Sequence, residues 1–358
     1  MTRMTYLEVD KKEFKSNINK IKNKYNKEIM PVIKANGYGT YINKELDIIN
    51  EFNIVAVAII DEAIALRKIG YEKKIFILNQ PHINDLEEII KYDITFGLSS
   101  RSFLKYLSRS NEKIKVHLEI ETGMNRTGIN INDLEEFIDE INLNKNILVE
   151  GIYTHFSSAD SDLEYTNKQF ETFKKALQIT KNKIDTIKYI HTSASNGILN
   201  LEEKITNLIR PGIMIYGFEP FKGANKIIDI KPICKLKSHI TFLKEVEENE
   251  SISYSRTYKT TKKTKIATIP IGYADGIRRS LSNKGEVVIR GEKAKIIGNV
   301  CMDSFMIDVT NIKDVEIDDE VYIWDNELIT LDDISNLCET INYEILCTIS
   351  DRVPRIMK

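Results

Sequence analysis

"VIKANGYG", residues 32–39, sets a lysine directly behind the apolar run IMPVI at 29–33. A small residue, an asparagine, two glycines and a tyrosine follow. A lysine at the end of a buried strand is costly unless its ammonium has a partner or a task. Lys34 therefore raises two questions at once: what strand it ends, and what it does there.

Working outward, short apolar runs alternate with amphipathic stretches through about residue 220. The runs are IMPVIKA, NIVAVAII, KIFILNQ, ITFGLSS, KVHLEIETG, VEGIYTHFS, YIHTSAS and LIRPGIMIYG. Between them lie DEAIALRKIG, INDLEEIIKY, NDLEEFIDEIN and YTNKQFETFKKALQI, with apolar residues at helical spacing, often behind an Asp or Asn cap. Strand–helix alternation repeated eight times predicts a (β/α)8 barrel of the TIM type. Beyond YGFEP the pattern changes. ICKLKSHITFL alternates apolar and polar residues, EVVIRGEKAKIIGNV reads as a hairpin around Arg290-Gly291-Glu292, and SFMIDVT and EVYIWD are further strands. A mainly antiparallel β domain is expected there. We place the barrel at 1–222, with the first eight or so residues open to joining the β domain, and the β domain at 223–358.

Bulk properties narrow the function. The 358 residues carry 51 basic and 53 acidic side chains, a net charge of -2. That balance gives no electrostatic case for nucleic acid or an anionic membrane. No apolar run approaches the length of a membrane span. The N-terminus has no signal-peptide core, and the four cysteines read as buried, reduced thiols of a cytoplasmic protein. No C-x-x-C, H-E-x-x-H or nucleotide-binding glycine motif is present, so no metal site is expected.

In a parallel barrel the chemistry lies at the C-terminal ends of the strands. Lys34 and Tyr38 follow the first strand, Glu119 and Arg126 the fifth, His155 the sixth, Ser195 the seventh and Arg210 the eighth. Singly, each has an ordinary structural reading, such as a surface ion pair or a snorkelling lysine. Their shared position favours a site. RPGI at 210–213 offers the N–H groups of Gly212 and Ile213, and Ser195 a hydroxyl, which together could hold a phosphate. A reactive lysine with a phosphate-bearing aldehyde is the logic of pyridoxal 5'-phosphate.

The motifs VIKANGYG, ETGMNRTG, YTHFSSAD, RPGIMIYG, SYSRTY, IGYADG, CMDSFMIDV and SDRVPRI occur in this order along the chain. In residues and spacing they resemble the alanine racemase family, the fold-type III pyridoxal-phosphate enzymes. The resemblance spans essentially the whole chain and implies a cytoplasmic homodimer with shared active sites acting on a small amino acid, most simply alanine, to supply D-alanine for peptidoglycan. Lys34 would carry the cofactor and act on one face of the substrate Cα. Tyr254 of the other subunit would act on the opposite face, tuned by His155. Arg210 would face the pyridine nitrogen. Tyr38, Ser195, Gly212 and Ile213 would hold the phosphate, and Arg126 with the Met302 backbone of the other subunit the substrate carboxylate. Asp160, Tyr273 and Arg279 would line the entrance.

Three positions depart from the family. Glu119 stands where many members have a carbamylated lysine, which suggests a Glu119–Arg126 pair. Ala194 replaces a usual asparagine. Asp351 replaces a usual tyrosine, which widens the pocket mouth and raises an alternative: a racemase of serine or basic amino acids. A decarboxylase is disfavoured by Arg210, since such enzymes pair the ring nitrogen with a carboxylate. A non-catalytic cofactor carrier lacks the C-terminal β domain.

Overall fold

The computed structural model describes residues 3–358. They divide into two compact units, one of Lys15–Gly37 and Ile42–Ile230, the other of the described residues through Phe14 with Tyr38–Tyr41 and Lys231–Lys358.

The first unit is the barrel. Its strands are Glu28–Ile29, Ile54–Val57, Lys74–Ile77, Thr95–Leu98, Ile114–Glu121, Ile147–Tyr153, Tyr189–His191 and Leu208–Ile209. Six of them, from Ile54–Val57 to Tyr189–His191, pair in sequence order and in parallel. Three contacts close the ring. A bridge joins Val32 to Ala56, another joins Ala194 to Arg210, and Leu208–Ile209 pairs with Glu28–Ile29. Strands such as Ile54–Val57 and Thr95–Leu98 are buried at every residue, as parallel strands covered on both faces must be. Connecting helices start at chemical stops: Ser100 Oγ accepts from Phe103 N (3.2 Å) and Asp162 Oδ1 from Tyr165 N (2.9 Å).

Two local readings change. LIRPGIMIYG is not one strand: after Ile209, Pro211 offers no N–H and the backbone turns at Gly212 into a 3-10 helix, Ile213–Tyr216. The lysine-bearing motif is no continued strand either. Ala35 (φ 51°), Asn36 (54°), Gly37 (63°), Tyr38 (53°) and Gly39 (77°) form a left-handed turn.

The second unit is built on a nine-stranded sheet. Tyr6–Val9 belongs to it, antiparallel to Cys234–His239 and parallel to Arg355–Met357. The expected hairpin is Glu286–Ile289 with Glu292–Ile297, turning at Arg290 (φ 49°) and Gly291 (φ 77°), the left-handed pair a two-residue hairpin requires. Two short helices, Leu331–Leu337 and Asn342–Cys347, were not expected. The four cysteines were expected to be buried, but only Cys234 is, and Cys347 is exposed. Among the described residues no helix is long and apolar enough to cross a membrane, and no cluster of potential metal ligands occurs.

Candidate active site

Among the candidate residues of the barrel, Arg210 is the organising centre, and it is 1% exposed. Its Nη1 donates to His191 Nδ1 (2.6 Å), and its Nη2 faces the carbonyls of Thr154 (2.8 Å) and Thr192 (2.9 Å) and His155 Nδ1 (3.3 Å). Nε takes part in none of these bonds. Burial lowers the guanidinium to about 10, so it stays cationic near neutrality.

Because an arginine only donates, it dictates the tautomers around it. His191 accepts at Nδ1, so its proton sits on Nε2 and is donated to His117 Nδ1 (2.8 Å). His117 then carries its proton on Nε2, a buried atom with no hydrogen-bond partner, on a ring stacked 4.4 Å from Phe76. Burial, reinforced by neighbouring cations, holds both imidazoles well below their usual range. By the same logic His155 accepts at Nδ1 and keeps its proton on Nε2. Desolvation first, then Arg210, Arg126 and Lys34, push it down to about 3. It is a neutral donor.

Glu119 lies two residues beyond His117 on one strand, so both side chains share a face. It is 3% exposed, which removes the reading of a solvated strand carboxylate. Its Oε1 accepts from Thr127 Oγ1 (2.8 Å), while Oε2 is buried without a partner. Arg126 is exposed and forms no ion pair with Glu119, although its charge is felt there. The expected Glu119–Arg126 pair is therefore an electrostatic neighbourhood rather than a contact. Both residues line a crevice with Thr122, Met124 and His155.

Ser195, 3% exposed, opens the short helix Ser195–Asn200. Its Oγ accepts from Gly212 N (3.0 Å) and lies 3.5 Å from Met214 N. The Ile213 N–H takes no part in these bonds. Asp160 is exposed, with Ser161 Oγ 3.4 Å from its carboxylate.

In the β unit, Tyr254, Tyr273 and Met302 are knitted into one surface. Asn299 Nδ2 donates to the Tyr254 carbonyl (2.7 Å), Ser253 Oγ to the Asn299 carbonyl (2.6 Å), Tyr273 N to Cys301 O and Ala274 N to Met302 O (both 3.0 Å). The Arg279 carbonyl joins through Ser282, whose Oγ also accepts from Val300 N. These large side chains stay outside: Tyr254 is 71% exposed, Met302 53% and Tyr273 43%. Tyr38 is buried, its ring 6.2 Å from that of Tyr343. Asp351 accepts from the Tyr41 hydroxyl, while Arg355 stacks on the Tyr41 ring at 4.5 Å.

Sequence reasoning missed His117, His191 and Tyr153, whose ring stacks on that of His191 at 4.9 Å and lies 5.5 Å from the Arg210 guanidinium. Their signal was alternation: polar or hydroxylated residues at every second position of an otherwise apolar barrel strand face the interior.

A closed barrel ending in a lysine and a buried arginine, followed by an antiparallel β unit, defines a class of barrel enzymes. The family models of the alanine racemase N-terminal domain and C-terminal domain match residues 9–220 and 233–357. Alanine racemase of Halothermothrix orenii is 40% identical over 100% of this chain and 98% of that protein. Alanine racemase 2 of Caldanaerobacter subterraneus subsp. tengcongensis is 41% identical, covering 92% of this chain and 88% of that one. Among solved structures, alanine racemase of Clostridium difficile 630 superposes with a TM-score of 0.92 at 35% identity, covering 100% and 96% of the two chains. The Bacillus anthracis enzyme with bound L-Ala-P gives 0.93 at 31%, with the same coverage. The chain belongs to the alanine racemase family, and it is an enzyme of that type, an amino-acid racemase.

Proposed function

We propose that this racemase interconverts L- and D-alanine with pyridoxal 5'-phosphate, using Lys34 and the Tyr254 of a second copy as its two acid/base groups. The observation that carries the reading is Arg210. It is buried and cationic at the strand ends, and its other bonds run through Nη1 and Nη2. A pyridine nitrogen is an acceptor, and Nε of a fixed guanidinium is a matching donor that does not surrender its proton. The Ser195 hydroxyl proton and the Ile213 N–H suit a phosphate, with the Gly212 N–H, which donates to Ser195 Oγ, available to it only by sharing that bond, and Tyr38 adds a phenol. The residues present fit the group. When bound, pyridoxal phosphate supplies an electron-withdrawing ring that acidifies the substrate Cα.

The chain's own residues do the rest. Lys34 would hold the cofactor until the substrate amine takes its place, and its freed amine would then remove or return a proton on one face of Cα. Tyr254 does so on the other. An unperturbed phenol titrates near ~10, so it needs help to act as a base. Neutral His155, which carries its proton on Nε2, is the donor proposed for the phenol oxygen. Arg210 withholds a proton from the ring nitrogen, which limits charge delocalisation and suppresses transamination. Arg126 and the Met302 backbone of the second copy hold the substrate carboxylate, Glu119 steadies Arg126 by its charge, and Asp160, Tyr273 and Arg279 line the entrance. The exposed Tyr254, Tyr273 and Met302 are the face one subunit offers to the other, making a homodimer with shared sites. D-alanine for peptidoglycan, made in the cytoplasm, is the corresponding role. A second reading, activity on serine or basic amino acids, rests on the Asp351 carboxylate held by Tyr41.

The test is purified protein supplied with cofactor and a panel of L-amino acids, followed by chiral chromatography. D-alanine should form fastest, and the protein should absorb near ~420 nm. Lys34→Ala should lose the band and nearly all turnover; retention of both removes this mechanism.

A further inference from the structure

Glu62 is absent from the catalytic account, yet its carboxylate touches the turn that carries Lys34. The first two barrel strands pair through Ala56 N to Pro31 O and Ile33 N to Ala56 O, both 2.9 Å. Past Ile33 the strands part, because the chain enters the left-handed turn at Ala35. Glu62 spans that gap. Its Oε1 accepts from Ala35 N (2.6 Å), the amide directly after Lys34. Its Oε2 accepts from Ala58 N (2.8 Å) and lies 3.4 Å from Ile59 N, at the start of the helix Ile60–Lys68. The carboxylate therefore acts as one further rung between the first and second strands, supplied by a side chain where the backbone ladder has ended.

We infer that Glu62 is a positioning residue that sets the place and direction of Lys34 by joining the Ala35 and Ala58 amides across the opening between the two strands. This rests on the function proposed above for Lys34. The chemistry is selective. Only a carboxylate presents an acceptor to both segments. Glutamine satisfies one side and turns its NH2 against an N–H on the other. Aspartate is one methylene too short to span both. A residue that merely capped the helix would need Oε2 alone, and glutamine could keep that bond.

The test compares wild type with Glu62→Gln and Glu62→Ala. Apoprotein is titrated with pyridoxal phosphate and the band near ~420 nm followed. Losing a charge-assisted bond at the lysine turn should weaken association roughly 10-fold in Glu62→Gln. It should also lower kcat with little change in KM, since a displaced amine affects proton transfer more than alanine binding. Wild-type association and kcat in Glu62→Gln overturn the inference. Should both variants fail to fold, hydrogen exchange of the 32–38 segment in wild-type protein decides. A protected Ala35 amide is expected, and exchange at the rate of an unstructured chain refutes the bond to Glu62. A wild-type protein with no band defeats the proposed role of Lys34 but leaves the exchange result standing.

Discussion

Replacing Glu119 by glutamine should make the barrel more stable and the enzyme slower, and the stability gain should depend on pH. The carboxylate is 3% exposed, with Oε1 bonded to Thr127, Oε2 without a well-formed hydrogen bond, and the Tyr153 phenol close beside it. Burial raises its pKa above the ordinary 4.5, against the smaller opposing effects of Thr127, Tyr153, Arg126 and Arg210. The native state therefore holds this proton more tightly than the unfolded chain does. Below 4.5 both states are protonated and ionisation costs the fold nothing. As pH rises toward and past the raised native value, the unfolded chain ionises freely while the buried group resists, and stability falls. An amide never ionises. Glu119→Gln should thus match wild type at low pH and exceed it above the native pKa, by about 1–3 kcal/mol, the cost of one unsatisfied buried acceptor.

For a unit of this size that is roughly 2–8 °C in unfolding midpoint. The assay is thermal unfolding of the apoprotein across pH 4–8, beside racemase kinetics of the loaded enzyme. Removing the charge beside Arg126 should lower kcat/KM by about 10-fold, or about 1.4 kcal/mol. A midpoint shift that is the same at every pH, or a loss of stability that grows with pH, would refute the argument that ionisation of a buried carboxylate controls it.

Tyr254→Phe should abolish racemisation in both directions while leaving the cofactor band, since Lys34 is untouched. Mixed with Lys34→Ala subunits, it should recover about a quarter of wild-type activity if chains exchange at random into dimers; no recovery would place Tyr254 in the same subunit's site as Lys34. Asp351→Tyr removes the acceptor of the Tyr41 hydroxyl and should raise the kcat/KM ratio of alanine over serine or lysine by about 10-fold. A wild type with no measurable serine or lysine turnover, unaltered by the substitution, would end the broader-substrate reading.

What was legible in the sequence was whatever depends on period or on a local turn. Eight buried strands and the Arg290-Gly291 hairpin follow from runs and punctuation, because burial on two faces and positive φ each demand particular residues. The candidate residues at strand ends stand out for a related reason: Lys34, Arg210 and Glu119 are polar residues in otherwise apolar strands. What stayed hidden depends on contacts across the barrel. Nothing local to His117 or His191 shows that Arg210 dictates their tautomers, and nothing local to Glu119 shows that Thr127 rather than Arg126 is its partner. Leu331–Leu337 and Asn342–Cys347 are too short for a helical period to stand out against strand alternation. The left-handed turn after Lys34 was hidden because only two of its five residues are glycine.

That turn has a counterpart. Ala35, Asn36 and Tyr38 have positive φ beside Lys34, and Ser253, Ser255 and Arg256 have positive φ around Tyr254. Each such residue costs about 1–2 kcal/mol, so each turn carries roughly 3–6 kcal/mol of backbone strain. Hydrogen bonds worth about 1 kcal/mol apiece hold them: Glu62 and the Gly37–Ile33 bond at the first, Asn299, the Ser253 hydroxyl and the Arg256–Ser251 bond at the second. Arg210 has no such strain; it leaves the end of an ordinary strand, its N–H still bonded to the Ser193 carbonyl, and its guanidinium is fixed by side-chain bonds. The contrast follows from what each residue must do. A guanidinium that stays charged and only donates needs fixed acceptors around it. A base that must meet Cα–H from one direction, and whose long or exposed side chain can swing, needs its backbone fixed first. The strained residues in these two segments flank the two side chains proposed to exchange protons, and a turn held against its own preference leaves the attached Cα–Cβ bond few alternative directions.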